Sequence, residues 1–288
     1  MSANVKGALL MMGSMVAFVI NDSFLRLTEG SIPLFQLIFV RGLAATALIF
    51  ALATWMGALR TRLSPMDRTL VGLRALAEIT TSYFFLNALF NMPLGNLNAI
   101  MQVVPLTVTL GTALVYREAV GWRRMLAIVV GLCGVLLIIR PGAEGFNQWS
   151  LYALAAVLGV TARDLITRRL SPAAPGLSVT LGTSFAVTAA AGLASLTEAW
   201  APIGAQNAGF IAGSAVFIFA GYFLSIQVMR VGEVGFVAPF RYTGLVVAMI
   251  VGFAVFDEIP TLLTLLGAVI VIATGLFTFY RERQLSRA

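Results

Sequence analysis

Four ionisable side chains stand inside stretches that are otherwise apolar. Arg41 lies in LIFVRGLAATALIF, Arg74 and Glu78 in RALAEITTSYFF, and Arg241 in VAPFRYTGLVV. Placing such a group in hydrocarbon costs roughly 2.5–3.5 kcal/mol on insertion scales, so each needs a physical reason. One reason is a water-filled central cavity that they line. The other is a buried ion pair, for example Arg41 with Glu78, that only fixes packing. Asp22 sits near the end of the first apolar stretch, where it is either interfacial or available to carry a coupled proton, as is Glu78. A guanidinium matches a carboxylate ligand. Arg241, flanked by Pro239, Phe240 and Tyr242, would therefore suit a ligand with a carboxylate and an apolar ring.

Further polar groups fall on helical stripes. Arg74, Glu78, Thr81, Ser82 and Phe85 share one face, as do Asn98, Gln102 and Pro105. Polar side chains on an otherwise apolar helix should face protein or water. Pro105 removes a backbone hydrogen bond and should kink its helix. Tyr83 and Tyr222 are aromatic candidates whose hydroxyls need partners. The expected binding set is thus Glu78, Tyr83, Asn98, Gln102, Tyr222, Phe240, Arg241 and Tyr242. Asp22, Arg41, Pro105 and Pro239 form the structural or coupling set. No catalytic residue is expected. There is no His and one Cys, Cys133, so no disulfide can form within the chain and the usual zinc ligands are missing. No metal or other cofactor is expected, and Cys133 in GLCGVLLII reads as a small buried apolar residue.

The elements that must hold these groups follow from composition. Of 288 residues, 59% are hydrophobic and 11% charged, about half the charge of a soluble domain. Lipid is the expected solvent. Net charge is +7, but the basic residues lie between apolar runs rather than in one patch, which argues against a nucleic-acid partner. A helix crosses a bilayer with roughly 17–25 apolar residues. Ten such runs are expected at 5–25, 33–56, 68–90, 95–116, 121–140, 149–168, 176–198, 207–230, 234–256 and 260–280. The first reads as a retained helix, not a cleaved leader. The runs are continuously apolar, unlike the alternating strands of a β-barrel.

With the N-terminus inside, fourteen Lys and Arg residues, Arg163 and Arg168 among them, fall on the inner side. Arg26 and Arg140 fall outside, with Glu29, Glu144, Glu198, Asp257 and Glu258. That bias places both termini in the cytoplasm. The chain also repeats itself. Asp22, Arg26 and Pro33 recur as Asp164, Arg168 and Pro175; Tyr83-Phe84 recurs as Tyr222-Phe223; Glu118 recurs as Glu258. The offsets stay between 139 and 142 residues. Each unit, 1–143 and 144–288, holds five helices. An odd unit repeated in tandem must invert, which is the architecture of alternating-access carriers.

Arg41 in the second helix, Pro105 thirteen residues before Glu118, and a Gly-bearing fifth helix resemble the EamA repeat of the drug/metabolite transporter superfamily. The most typical part is VVPLTVTLGTALVYREAVGWRRMLAIVVGLCGVLLIIRPG. The second unit departs from it, with Thr183 where the first has Arg41 and Gly244 or Leu245 where the first has Pro105. The resemblance implies an all-α, ten-helix membrane protein, not an enzyme, that moves a small metabolite across the bacterial inner membrane. YddG-type exporters of aromatic and other neutral amino acids are the group it favours. Uptake carriers for S-adenosylmethionine or riboflavin are similar over the same stretch. An intramembrane enzyme acting on lipid is a further class, for which only the Asp257-Glu258 pair offers adjacent carboxylates.

Overall fold

The computed structural model describes residues 3–28, 30–60, 63–117, 121–140, 147–231 and 234–285. Glu29, Glu118, Glu144 and the expected unit boundary at 143/144 lie outside the described residues. The chain is helical wherever it crosses an apolar run. The helices are α1 (Ala3–Arg26), α2 (Leu34–Trp55), α3 (Pro65–Asn91), α4 (Leu94–Met101), α5 (Val104–Tyr116) and α6 (Trp122–Ile139). Then come α7 (Trp149–Arg168), α8 (Gly176–Ser195), α9 (Ala205–Val231), α10 (Val234–Val237), α11 (Thr243–Phe256) and α12 (Leu262–Leu285). Short 3₁₀ turns occupy Ala58–Arg60 and Ala238–Tyr242. Each expected run thus meets a helix, or a broken pair of helices, at nearly the expected ends.

Nine segments among the described residues are long and apolar enough to cross a membrane, taking α4–α5 as one span and Ala238–Phe256 as another. The tenth, α3, is equally long but carries Asp67, Arg68, Arg74 and Glu78. Large apolar side chains such as Leu114, Leu158, Phe185, Leu193 and Phe253 stay exposed on the outside of the bundle. In water that surface would be a liability; against lipid tails it is the favourable one. Cys133 shares it, exposed on α6. The expectation of a buried Cys133 is corrected for that reason: in a lipid-facing helix an apolar neighbourhood does not mean the interior.

Prolines punctuate the helices. Pro33, Pro93 and Pro175 sit at N-cap positions, and Pro65 opens α3 beside the capping Ser64. Pro105 lies in the first turn of α5, after a break at Gln102–Val103. The kink anticipated there is a full interruption between α4 and α5. Pro239 marks the matching interruption before α11. Both α5 and α11 end in a non-Gly residue of left-handed backbone, Arg117 at φ 54° and Asp257 at φ 53°.

The helices pair in a reciprocal pattern. The most extensive packing is α1 along α9, α3 along α7, α2 along α8 and α6 along α12, and α4 packs along α11. The main apolar core runs through Leu37, Leu89, Leu97, Ile100, Leu106, Ile128 and Leu245. Between α2, α3, α8 and α9 the packing opens, and there the polar groups gather.

Candidate functional site

A cavity of about 550 Å³, counting its open mouth, lies between α2, α3, α8 and α9. Arg41, Gly42 and Ala45 of α2, Arg74, Glu78 and Ser82 of α3, Thr183, Ser184 and Thr188 of α8, and Tyr222 of α9 line it. Ile38, Ile49, Val187 and Ile218 supply apolar wall. The lining expected from the sequence is the first, third and fourth apolar runs with their counterparts the sixth, eighth and ninth; of these the cavity uses the third and eighth, α3 and α9, and adds the second and seventh, α2 and α8. The sequence cue for α8 is its run of hydroxyl residues at helical spacing, Thr180, Ser184 and Thr188, which read singly as unremarkable polar substitutions.

Its charges are unequally satisfied. Glu78 Oε2 accepts from Arg163 NH1 at 3.1 Å, and Asp164 Oδ1 lies 2.9 Å from both Nε and NH2 of Arg163. Arg163 is thus spent on two carboxylates. Arg74 donates from Nε to Thr167 Oγ1 at 3.0 Å and from NH1 to Thr183 Oγ1. It has no carboxylate within 4.0 Å among the described residues. Arg41 stands barer still: its Nε is buried with no hydrogen-bond partner among the described residues. Asp22, Glu78 and Tyr222 lie within Coulombic range of it, none as an ion pair. Asp22 is itself buried on α1 and accepts from Asn21 Nδ2 at 2.9 Å.

The expected residues divide. Glu78 and Tyr222 line the cavity, together with Arg41. Tyr222 also meets Phe18 edge-on at 5.5 Å. Tyr83 lies apart, 37% exposed, in an aromatic cluster with Phe35, Phe84 and Tyr152. Asn98 donates to Leu94 O within its own helix, and Gln102 ends α4 near Gly244. Pro239, Phe240, Arg241 and Tyr242 share the 3₁₀ turn before α11. There Phe240 packs on Phe236, and the Tyr242 hydroxyl is buried against Gly275 without a partner among the described residues. The Glu78 ion pair imagined with Arg41 is made with Arg163 instead. Charge counting places Arg163 on the inner side of the expected helix 149–168, but it cannot say that the guanidinium pairs with Glu78 of α3.

A second polar knot closes one end of the bundle. Glu258 Oε1 pairs with Arg26 NH2 at 2.5 Å, and its Oε2 accepts from Leu94 N at the start of α4 at 2.8 Å. The Arg26 guanidinium lies 4.7 Å over the Phe256 ring. At the other end, Arg168 lies 5.9 Å over the Tyr116 ring.

Residues 5–140 match the EamA-like transporter family. Among curated relatives, an S-adenosylmethionine uptake transporter of Rickettsia prowazekii is 26% identical over 94% of this chain and 91% of its own. A riboflavin transporter of Vibrio cholerae is 26% identical over 69% of this chain and 66% of its own. A pseudopaline exporter of Pseudomonas aeruginosa is 22% identical, covering 92% and 93%. A solved crystal structure superposes with a TM-score of 0.65 at 19% identity, over 97% of this chain and 98% of its own, which shows the same fold.

Proposed function

We propose, from the premise that the first half of this chain belongs to the EamA-like transporter family, that the whole chain is one secondary carrier working by alternating access. It is a multi-pass membrane protein and a transporter of small metabolites. The observation that carries the site is the cavity holding Arg41, Arg74 and Glu78 inside an apolar bundle. Charges at that depth are costly unless they serve a ligand or water.

The finer reading is two inverted five-helix units, 1–143 and 144–288, with both termini in the cytoplasm of a bacterial inner membrane. Its support is the reciprocal helix pairing, the matched left-handed ends of α5 and α11, and the Arg–aromatic stacks at the two ends. For the cargo we keep export of an amino acid, with its carboxylate at Arg41 rather than Arg241. Arg41 is the guanidinium in the cavity with an unpartnered buried Nε. The second reading is uptake of S-adenosylmethionine or a riboflavin-like metabolite, favoured by relatives so named. Asp22, buried without an ion pair among the described residues, is assigned the coupled proton.

Counterflow in liposomes tests these together. Preloaded unlabelled amino acid, S-adenosylmethionine or riboflavin should accelerate uptake of its labelled form, and the flux should saturate. Non-saturating flux without counterflow would sink the carrier. Wild-type affinity in Arg41→Ala would remove the carboxylate anchor, and an unchanged response to a pH gradient in Asp22→Asn would remove the proton role.

A further inference from the structure

We infer that the cavity selects an acidic cargo, a small metabolite carrying two carboxylates, with Arg41 and Arg74 as its specificity-determining residues. The inference deepens the carrier reading and relies on it only for the meaning of binding, not for the binding itself.

The argument rests on which charges in the cavity already have partners. Among the described residues its one lining carboxylate, Glu78, is already paired through Oε2 with Arg163 at 3.1 Å. The neighbouring Asp164 is held by the same guanidinium at 2.9 Å. The two lining guanidiniums have no ion pair among the described residues. Arg41 sits on α2 with its Nε buried and unpartnered. Arg74 comes from α3 and is steadied by Thr167 and Thr183, which use two of its five N–H groups and leave the rest to the cavity. Asp22, the remaining nearby acid, does not line the cavity and accepts from Asn21.

An Arg fork recognises a carboxylate with two parallel hydrogen bonds. Two such forks on separate helices of one cavity fit a substrate with two acidic groups. The hydroxyls of Ser82, Ser184, Thr188 and Tyr222 can serve its remaining polar atoms. Ile38, Ile49, Val187 and Ile218 offer contact for an aliphatic spacer. A net cation such as S-adenosylmethionine would meet two guanidiniums that have no ion pair among the described residues, and a lining carboxylate already shared with Arg163. A neutral amino acid would satisfy one guanidinium and leave the other bare.

Matched acid and amide pairs test this on the purified full chain in detergent: glutamate against glutamine, and succinate against succinamic acid, with S-adenosylmethionine alongside. The readout is the rise in unfolding temperature with concentration. The diacids should bind on the order of tenfold more tightly than their monoamides, and S-adenosylmethionine should be weaker than either. Arg74→Gln should abolish the preference for acid over amide, and Arg74→Lys should keep it. Equal affinity for acid and amide, tighter binding of S-adenosylmethionine, or no stabilisation by any diacid would each overturn the inference. Diacid binding without counterflow in liposomes would instead overturn the carrier reading and leave the charge preference standing.

Discussion

At the scale of single residues, the site is a problem in how buried charges are shared. Arg163 serves Glu78 and Asp164 at once, with side chains that keep 22%, 16% and 29% of their surface. Breaking a buried pair by removing one partner costs about 3–5 kcal/mol, and the remaining exposure puts this case at the low end. Arg163→Leu should therefore unfold markedly earlier in detergent. Adding Glu78→Gln to it should recover part of the loss, because one stranded charge goes with it. If the double variant is no more stable than the single one, the pair is not the source of the cost. Arg74 and Glu78 were legible as a helical i, i+4 pair. The partner of Glu78, Arg163, was not, since a hydropathy profile cannot say which helix end an Arg reaches from. Outside the spans, Asp67 in the first turn of α3 accepts from Ser171 N, Ser64 Oγ and Ser171 Oγ at 3.0, 2.7 and 2.8 Å. The backbone N–H of Ser171, then the hydroxyls of Ser64 and Ser171, hold its carboxyl below the usual 3.8. A depressed folded value means the ionised form is favoured by folding. That contribution is full above the unfolded value and is lost as pH falls through the folded one. Unfolding temperature should drop as pH is lowered below about 4, more steeply in the wild type than in Asp67→Asn. Parallel pH curves for the two proteins would refute the assignment.

At the scale of elements, small residues set how closely helices approach. The α6–α12 contact is the clearest instance. A Cβ on Gly267 would stand 2.5 Å from Gly134 O and 2.7 Å from Ile138 Cγ1. The first is backbone and cannot rotate away, so Gly267→Ala must part the two helices. Overpacking of this kind costs about 1–3 kcal/mol. Gly209 in α9 has nothing within 4 Å of the same added atom. There Gly→Ala should stabilise by about 0.5–1 kcal/mol through lost backbone freedom in the unfolded chain. Opposite signs in thermal unfolding are the expected result, and equal shifts would deny the close contact. The ten apolar runs were readable because hydropathy and helix length depend on local sequence alone. The interruption at Gln102–Val103 was readable from Pro105. The route of the cavity was not, because it depends on which faces of α2 and α8 oppose each other. There Thr46 Oγ1 meets Ser184 Oγ at 2.7 Å and Thr188 Oγ1 at 3.2 Å, a pairing that no single helix announces.

At the scale of the whole molecule, alternating access needs one end held shut while the other opens. Glu258 is placed to hold one end. Its two oxygens bind Arg26 at the end of α1 and Leu94 N at the start of α4, so a single carboxylate ties three parts of the bundle. Arg26 is packed against the Phe256 ring as well, which keeps the guanidinium in place. In the proposed topology this end faces outward. Losing the charge should weaken the tie without removing bulk, so Glu258→Gln should shift the population towards an outward-open form. The measure is labelling by a membrane-impermeant maleimide at Ser184→Cys in the cavity, in a Cys133→Ser background and in intact cells. Labelling should be several-fold faster in Glu258→Gln than in its parent, and Arg26→Gln should act in the same direction, since it removes the other half of one ion pair. Arg168, stacked over Tyr116 at the opposite end, occupies the repeat position of Arg26 and should act oppositely: Arg168→Gln should slow labelling from outside by favouring the inward-open form. Equal labelling rates across the four proteins would show that these knots only fasten the fold, whereas shifts of opposite sign at the two ends would mark them as the closures between which the carrier alternates.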